Sequence, residues 1–117
     1  MFKFENLKVY QKALVFADIV YRITNSWPKQ EIYGLTNQFR RAAISIALNI
    51  AEGSSRTNKD FSHFLSLARG SCFECVAILM IAKNQKLITN NQYLDIYGKC
   101  LEMSKMLSSL RTKINGN

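Results

Sequence analysis

The sequence is short of the residues that loops, strands and most active sites need. One proline and five glycines in 117 residues are too few turn formers for a loop-rich or all-β chain, and they favour long helices. A single histidine, His63, removes most metal and acid–base sites that depend on paired imidazoles. Three cysteines cannot close a complete disulfide framework and are expected as reduced thiols. The longest unbroken apolar run, Cys75 to Ala82, falls far short of the ~20 residues of a membrane span. The opening Met1-Phe2-Lys3-Phe4-Glu5-Asn6 lacks the apolar core of a signal peptide. A cytoplasmic protein with no membrane partner is therefore expected. Acidic residues are scarce as well: eight Asp plus Glu face sixteen Lys plus Arg, a net charge of +8 that points to a polyanionic partner. Apolar residues at 48% exclude a disordered chain, and the length fits one domain spanning residues 1–117.

What is present is helical rhythm. Val9, Ala13, Phe16, Val20 and Ile23 recur at spacings of four and three, which predicts a helix over about 6–24. Asn25-Ser26-Trp27-Pro28 breaks it. Leu35, Phe39, Ala42, Ile46 and Ile50 predict a second helix over about 34–52, ended by Gly53 in a left-handed cap. Phe61, Leu65, Ala68, Cys72, Cys75, Leu79 and Ala82 predict a third over 58–85, with Asn58 or Thr57 as its cap. Thr89-Asn90-Asn91-Gln92 fits a capping box, and Tyr93, Ile96, Cys100, Met103, Leu107, Leu110 and Ile114 carry a fourth helix over 90–114. Four long helices with short links predict an all-α, antiparallel up-down-up-down four-helix bundle.

The third segment is more apolar than one face requires. From Phe73 to Ala82 only Glu74 is polar, so apolar side chains surround the helix. Such a helix must be covered on two sides. A subunit interface built on Phe73, Val76, Ala77 and Met80 is the expectation.

Catalytic constellations are weak. Cys72-Phe73-Glu74-Cys75 has the C-x-x-C spacing but lies deep inside a helix, away from the N-terminal dipole that activates such thiols. His63 precedes Cys75 by 12 residues, roughly 18 Å along a helix at ~1.5 Å per residue, which one metal ion cannot bridge. The five glycines are isolated, so no phosphate loop exists. The chain is expected to be non-enzymatic, with no cofactor. A polar stripe does stand out: Gln38, Arg41, Ser45, Asn49 and Glu52 share one side of the second helix, and Ser71 and Glu74 lie one turn apart on the third. A carboxylate in apolar surroundings needs a partner, so Glu74 is expected to pair with Arg41, with Arg40 and Arg69 as alternatives. The stripe is read as a structural network fixing helix register or subunit contacts.

The run from Gln38 to Gly53, QFRRAAISIALNIAEG, resembles the hallmark of four-helix-bundle proteins encoded by intervening sequences of bacterial large-subunit ribosomal RNA genes. Trp27-Pro28, then Glu31 with Tyr33-Gly34-Leu35, and Phe64-Leu65 with Ala68, Gly70-Ser71 and Glu74, are similar to other elements of that family, as are Phe4, Leu7 and Gln11-Lys12-Ala13. Ala47 stands where a proline is common and Cys75 where an aliphatic residue is usual. The resemblance spans nearly the whole chain. It implies a four-helix bundle assembling as a homopentamer, and kinship with the accessory variability determinant of diversity-generating retroelements, a basic pentamer that binds nucleic acid and a reverse transcriptase.

An up-down bundle gathers Lys3, Lys8, Arg56, Lys59, Arg111 and Lys113 at one end, against Glu5, Glu52 and Asp60. The other end holds Arg22, Lys29, Lys83 and Lys86 against Glu31. The first six are the expected phosphate contacts of an oligomeric protein that binds nucleic acid, RNA or DNA. The rival expectation is a protein–protein adaptor, such as an accessory subunit for a reverse transcriptase or another neighbour-encoded enzyme.

Overall fold

In the computed structural model, which describes residues 1–116, two short 3₁₀ turns and four helices follow one another along the chain. A turn at Lys3–Asn6 precedes α1 (Lys8–Thr24), and a turn at Lys29–Glu31 precedes α2 (Leu35–Ser54), α3 (Asn58–Asn84) and α4 (Asn90–Asn115). No strand occurs among the described residues, and the chain is an all-α four-helix bundle with extents of 46 × 23 × 20 Å.

Cap chemistry explains the helix ends. Thr57 Oγ1 accepts from the Asp60 amide at 3.2 Å and starts α3. Thr89 and Gln92 form the reciprocal capping box of α4, at 2.9 and 3.0 Å. The α3 end is a Schellman motif: Leu87 N–H reaches Ala82 O at 2.9 Å and Lys86 N–H reaches Lys83 O at 3.0 Å. Its left-handed position is held by Lys86 at φ 61°, the one non-glycine residue with positive φ among those described.

Two expectations need correction. The first long helix starts at Lys8 and not near Asn6, because Leu7 is extended (φ −72°, ψ 124°) and separates the 3₁₀ turn from α1. Gly53 does not take a left-handed cap: it lies inside α2, and no described glycine has positive φ. Its smallness matters instead, because α2 crosses α3 there against Phe61 and Phe64.

The expected stripes meet in one core. Phe16, Phe39, Ile46, Ile50, Leu65, Leu79, Ile96, Met103 and Leu107 are fully buried, together with Val20, Cys72 and Cys75. Ile23, Leu35, Phe61, Tyr93, Leu110 and Ile114 are half-buried at its ends. Trp27 stacks on Phe39 (5.8 Å, 22°) and closes the core below the first link. Helix α2 packs on α1 and α3, and α3 packs on α4. Helices α1 and α4 meet only sparsely and leave a groove of about 420 Å³ between Lys8, Val15 and Phe16 on one side and Lys99 and Met103 on the other. Helix α3 is also long and apolar enough by composition to cross a membrane, with a window of mean hydropathy 1.7. Here it packs on α2 along one side and on α4 along the other.

Candidate nucleic-acid interface and the α2–α3 seam

Helix direction puts the 3₁₀ turn, the start of α1, the α2–α3 link and the end of α4 at one end of the bundle, as the up-down topology requires. Lys3, Lys8, Lys59 and Lys113 are exposed there, and none forms an ion pair among the described residues. The other two expected contacts are engaged within the chain. Arg56 pairs with Glu52 at 2.7 Å and lies 5.2 Å from the Phe64 ring centroid. Arg111 is half-buried, and its Nε donates to Ser62 O (3.1 Å) and Oγ (3.4 Å). Asn115 Nδ2 also donates to Ser62 Oγ at 2.9 Å. Arg111 Nε thus ties the end of α4 to the start of α3. Its identity as a late-helix cation concealed this, because its acceptors belong to a serine 49 positions away.

The polar stripe is brought together in part. Asn49 Nδ2 donates to Ser45 O (2.8 Å) and Oγ (3.0 Å), and Ser71 Oγ donates to Ser45 Oγ (3.0 Å) across the α2–α3 seam. Glu74 is exposed, not enclosed by apolar neighbours, and accepts a hydrogen bond from Gln38 Nε2. The expected Arg41–Glu74 ion pair is absent among the described residues. Arg41 is exposed beside Glu74 in a shallow cleft of about 280 Å³ that Gln38 and Ser45 also line. Neither alternative partner reaches Glu74. Arg40 bonds Thr24 and Asn25, and Arg69 stacks 4.8 Å from the Phe73 centroid. Glu52 leaves the network for Arg56. The seam therefore reads as a register lock of Ser45, Asn49 and Ser71, plus one Gln38–Glu74 bridge at its surface.

Within the single chain the outward face of α3 lies open. Phe73 is 57% exposed and Met80 45%, Ala77 is exposed, and Val76 is half-buried. Leu67 and Ile81 extend this face. On α4, Leu94, Tyr97 and Leu101 continue it past a groove of about 170 Å³ lined by Phe73, Val76, Tyr97 and Leu101. The α4 residues were missed in the sequence, although their spacings of three and four mark a second stripe beside the core one.

Cys72, Cys75 and Cys100 are buried free thiols. Burial first, and then the neighbouring Cys100, push the Cys72 thiol up to about 12. A hydrogen bond with Cys100, and then burial, push Cys75 upward as well. Thiols held protonated are poor nucleophiles and poor metal ligands. No group of three or more His, Cys, Asp or Glu side chains among the described residues is placed to hold a metal ion.

A family model described as "23S rRNA-intervening sequence protein" matches residues 5–109. Among solved structures, a protein of unknown function from the S23 ribosomal protein family of Bacteroides thetaiotaomicron VPI-5482 superposes with a TM-score of 0.81. It is 26% identical, and the match covers 89% of this chain and 95% of that one. No curated protein matches.

Proposed function

The chain belongs to the 23S rRNA-intervening sequence protein family, and from that premise we propose that it is a non-enzymatic, oligomeric protein that holds nucleic acid, in particular RNA, on a basic rim. The observation that carries this reading is the uncompensated charge. Of sixteen Lys plus Arg, only Lys12, Arg56 and Lys99 form ion pairs among the described residues. Lys3, Lys8, Lys59 and Lys113 outnumber Glu5 and Asp60 and leave one end of the bundle net positive, with no ion pair to these four lysines among the described residues. Such a surface contacts the backbone and does not read bases, so its binding is tolerant of sequence and steep in salt. Assembly through the outward α3 face would repeat the patch once per subunit and sum the fields. A homopentamer is the number the resemblance implies.

The test is a salt titration with a structured RNA and a DNA duplex of equal length. Binding that weakens steeply between low and moderate salt supports the reading. A flat response, or no binding at low salt, overturns it. The open apolar surface of Phe73, Met80, Tyr97 and Leu101 favours a second reading, a protein–protein adaptor such as an accessory subunit for a reverse transcriptase. That reading expects binding to an acidic protein partner and none to RNA.

A further inference from the structure

Phe2 is 72% exposed, yet it does not hang on a loose end. Its amide donates to a Glu5 carboxylate oxygen at 2.7 Å, and the Glu5 amide donates back to Phe2 O at 3.2 Å. The Leu7 amide donates to Phe4 O at 3.0 Å, and Gln11 Nε2 of α1 donates to Glu5 O at 3.0 Å. The 3₁₀ turn that these bonds close packs on both α1 and α2. A fixed backbone thus holds an aromatic ring out in solvent, where burial would have been the more stable choice.

The ring is the outer member of a ladder. Phe2 stacks on Phe4 with centroids 5.8 Å apart and planes at 18°, and Phe4 meets Tyr10 edge-on at 4.8 Å and 67°. Phe4 and Tyr10 are half-buried, and Tyr10 packs against the core. In an offset stack one face of Phe2 is turned to Phe4, so the opposite face is the one left open. Cations flank the ladder along the chain. Lys3 lies between the two phenylalanines and Lys8 opens α1 two residues before Tyr10. Both are exposed, and neither forms an ion pair among the described residues. The one acid of the turn, Glu5, has its carboxylate engaged by the Phe2 amide.

We propose that the Phe2–Phe4–Tyr10 ladder is a stacking platform for an unpaired base of single-stranded RNA, with Phe2 taking the base and Lys3 and Lys8 its flanking phosphates. Aromatic faces beside cations are the means by which single strands are held without regard to sequence. An acyl chain or an apolar protein surface gains area from any bulky side chain, whereas a flat ring fixed in one orientation matches the flat face of a base. A base inside a duplex has both faces covered by its neighbours, so the platform selects single strands and loops over helices. The proposal rests on the nucleic-acid reading above and adds to it the form of RNA that is held.

The full chain is titrated at low salt with an oligouridine carrying one 2-aminopurine, a base analogue whose fluorescence falls on stacking, and with the same strand annealed to its complement. Quenching of the single strand on binding is expected. Phe2→Ala should weaken the single strand about tenfold and leave the duplex unchanged. Phe2→Tyr keeps the ring and should bind as the parent does, whereas Phe2→Leu keeps apolar bulk without the ring and should bind as Phe2→Ala does. Circular dichroism checks that all three fold. An equal loss on both RNAs, or on neither, overturns the platform, and the basic rim then stands without it. Parental binding by Phe2→Leu reduces Phe2 to a general apolar contact and overturns it too. So does a Phe2→Ala variant that spares RNA but loses mass in light scattering, or that spares RNA but loses binding to phosphatidylserine vesicles. Absence of all RNA binding at low salt overturns both the platform and the reading beneath it.

Discussion

Gly53 and Phe64 meet so closely across the α2–α3 crossing that a β-carbon on Gly53 would stand 2.5 Å from Phe64 Cβ and 2.9 Å from Phe61 Cδ1. The nearest obstacle is the root of a side chain, which cannot swing away. Gly53→Ala should therefore destabilise the bundle by about 2 kcal/mol, although alanine is the better helix former. Gly70, also helical, has open space where its β-carbon would go. Gly70→Ala should stabilise by about 1 kcal/mol. Thermal melts of the two variants should move in opposite directions, and a Gly53→Ala melt that rises with that of Gly70→Ala would show that the crossing is not tight.

Lys86 bears the left-handed position of the α3 cap at φ 61°. A β-carbon costs roughly 1–2 kcal/mol in that region, partly offset by the extra freedom glycine has when unfolded. Lys86→Gly should raise stability by about 0.5–1 kcal/mol, read as a higher urea midpoint with an unchanged slope.

Arg111 and Lys113 separate the structural cation from the surface one. Arg111→Ala removes the tie to Ser62 and should cost about 1 kcal/mol or more. Lys113→Ala, at an exposed site, should stay within about 0.5 kcal/mol. If the basic rim holds RNA, Lys113→Ala combined with Lys59→Ala should lower affinity at low salt and flatten the salt slope by about two. A double variant with wild-type affinity counts against the rim.

Met80 and Ala77 lie on the outward face of α3. Met80→Glu and Ala77→Asp should leave the stability of a single bundle nearly unchanged, because both positions face solvent within the chain. If that face joins subunits, light scattering should show the variants at lower mass than the parent. An assembly of undiminished mass would place the contact elsewhere.

The thiols give a pH signature. Cys72 and Cys75 stay protonated in the folded chain, with Cys72 pushed up to about 12, whereas an ordinary thiol ionises near 9.0. Above pH 9 the unfolded chain loses protons that the folded chain keeps. Stability is therefore full below pH 9 and falls as pH rises toward 12. Urea titrations at pH 7 and pH 10 check the sign. A thiol reagent should label the three cysteines only as the chain unfolds.

The core stripes were legible because burial and helical period are written directly into residue spacing: Phe16, Phe39, Leu65 and Met103 each lie where their rhythm places them. Side-chain partners were less legible. Glu74 turned to Gln38, and Arg41 was left facing a cleft, because the choice among polar neighbours depends on distances of an ångström that spacing does not encode. Spacing alone marks Gly53 as a turn former, whereas its meaning is proximity, since glycine serves both roles and only the neighbouring helix tells them apart.

The sparse meeting of α1 and α4 makes α1 a latch that is fastened chiefly to α2. Helices α2, α3 and α4 share long contacts and should open together, close to the global unfolding free energy. Helix α1 can peel away at lower cost, so its amides around Gln11 to Val15 should exchange hydrogen before those of α3. The molecule should therefore open first along this one edge, and a partner wedged between α1 and α4 would slow that exchange without moving the rest of the bundle.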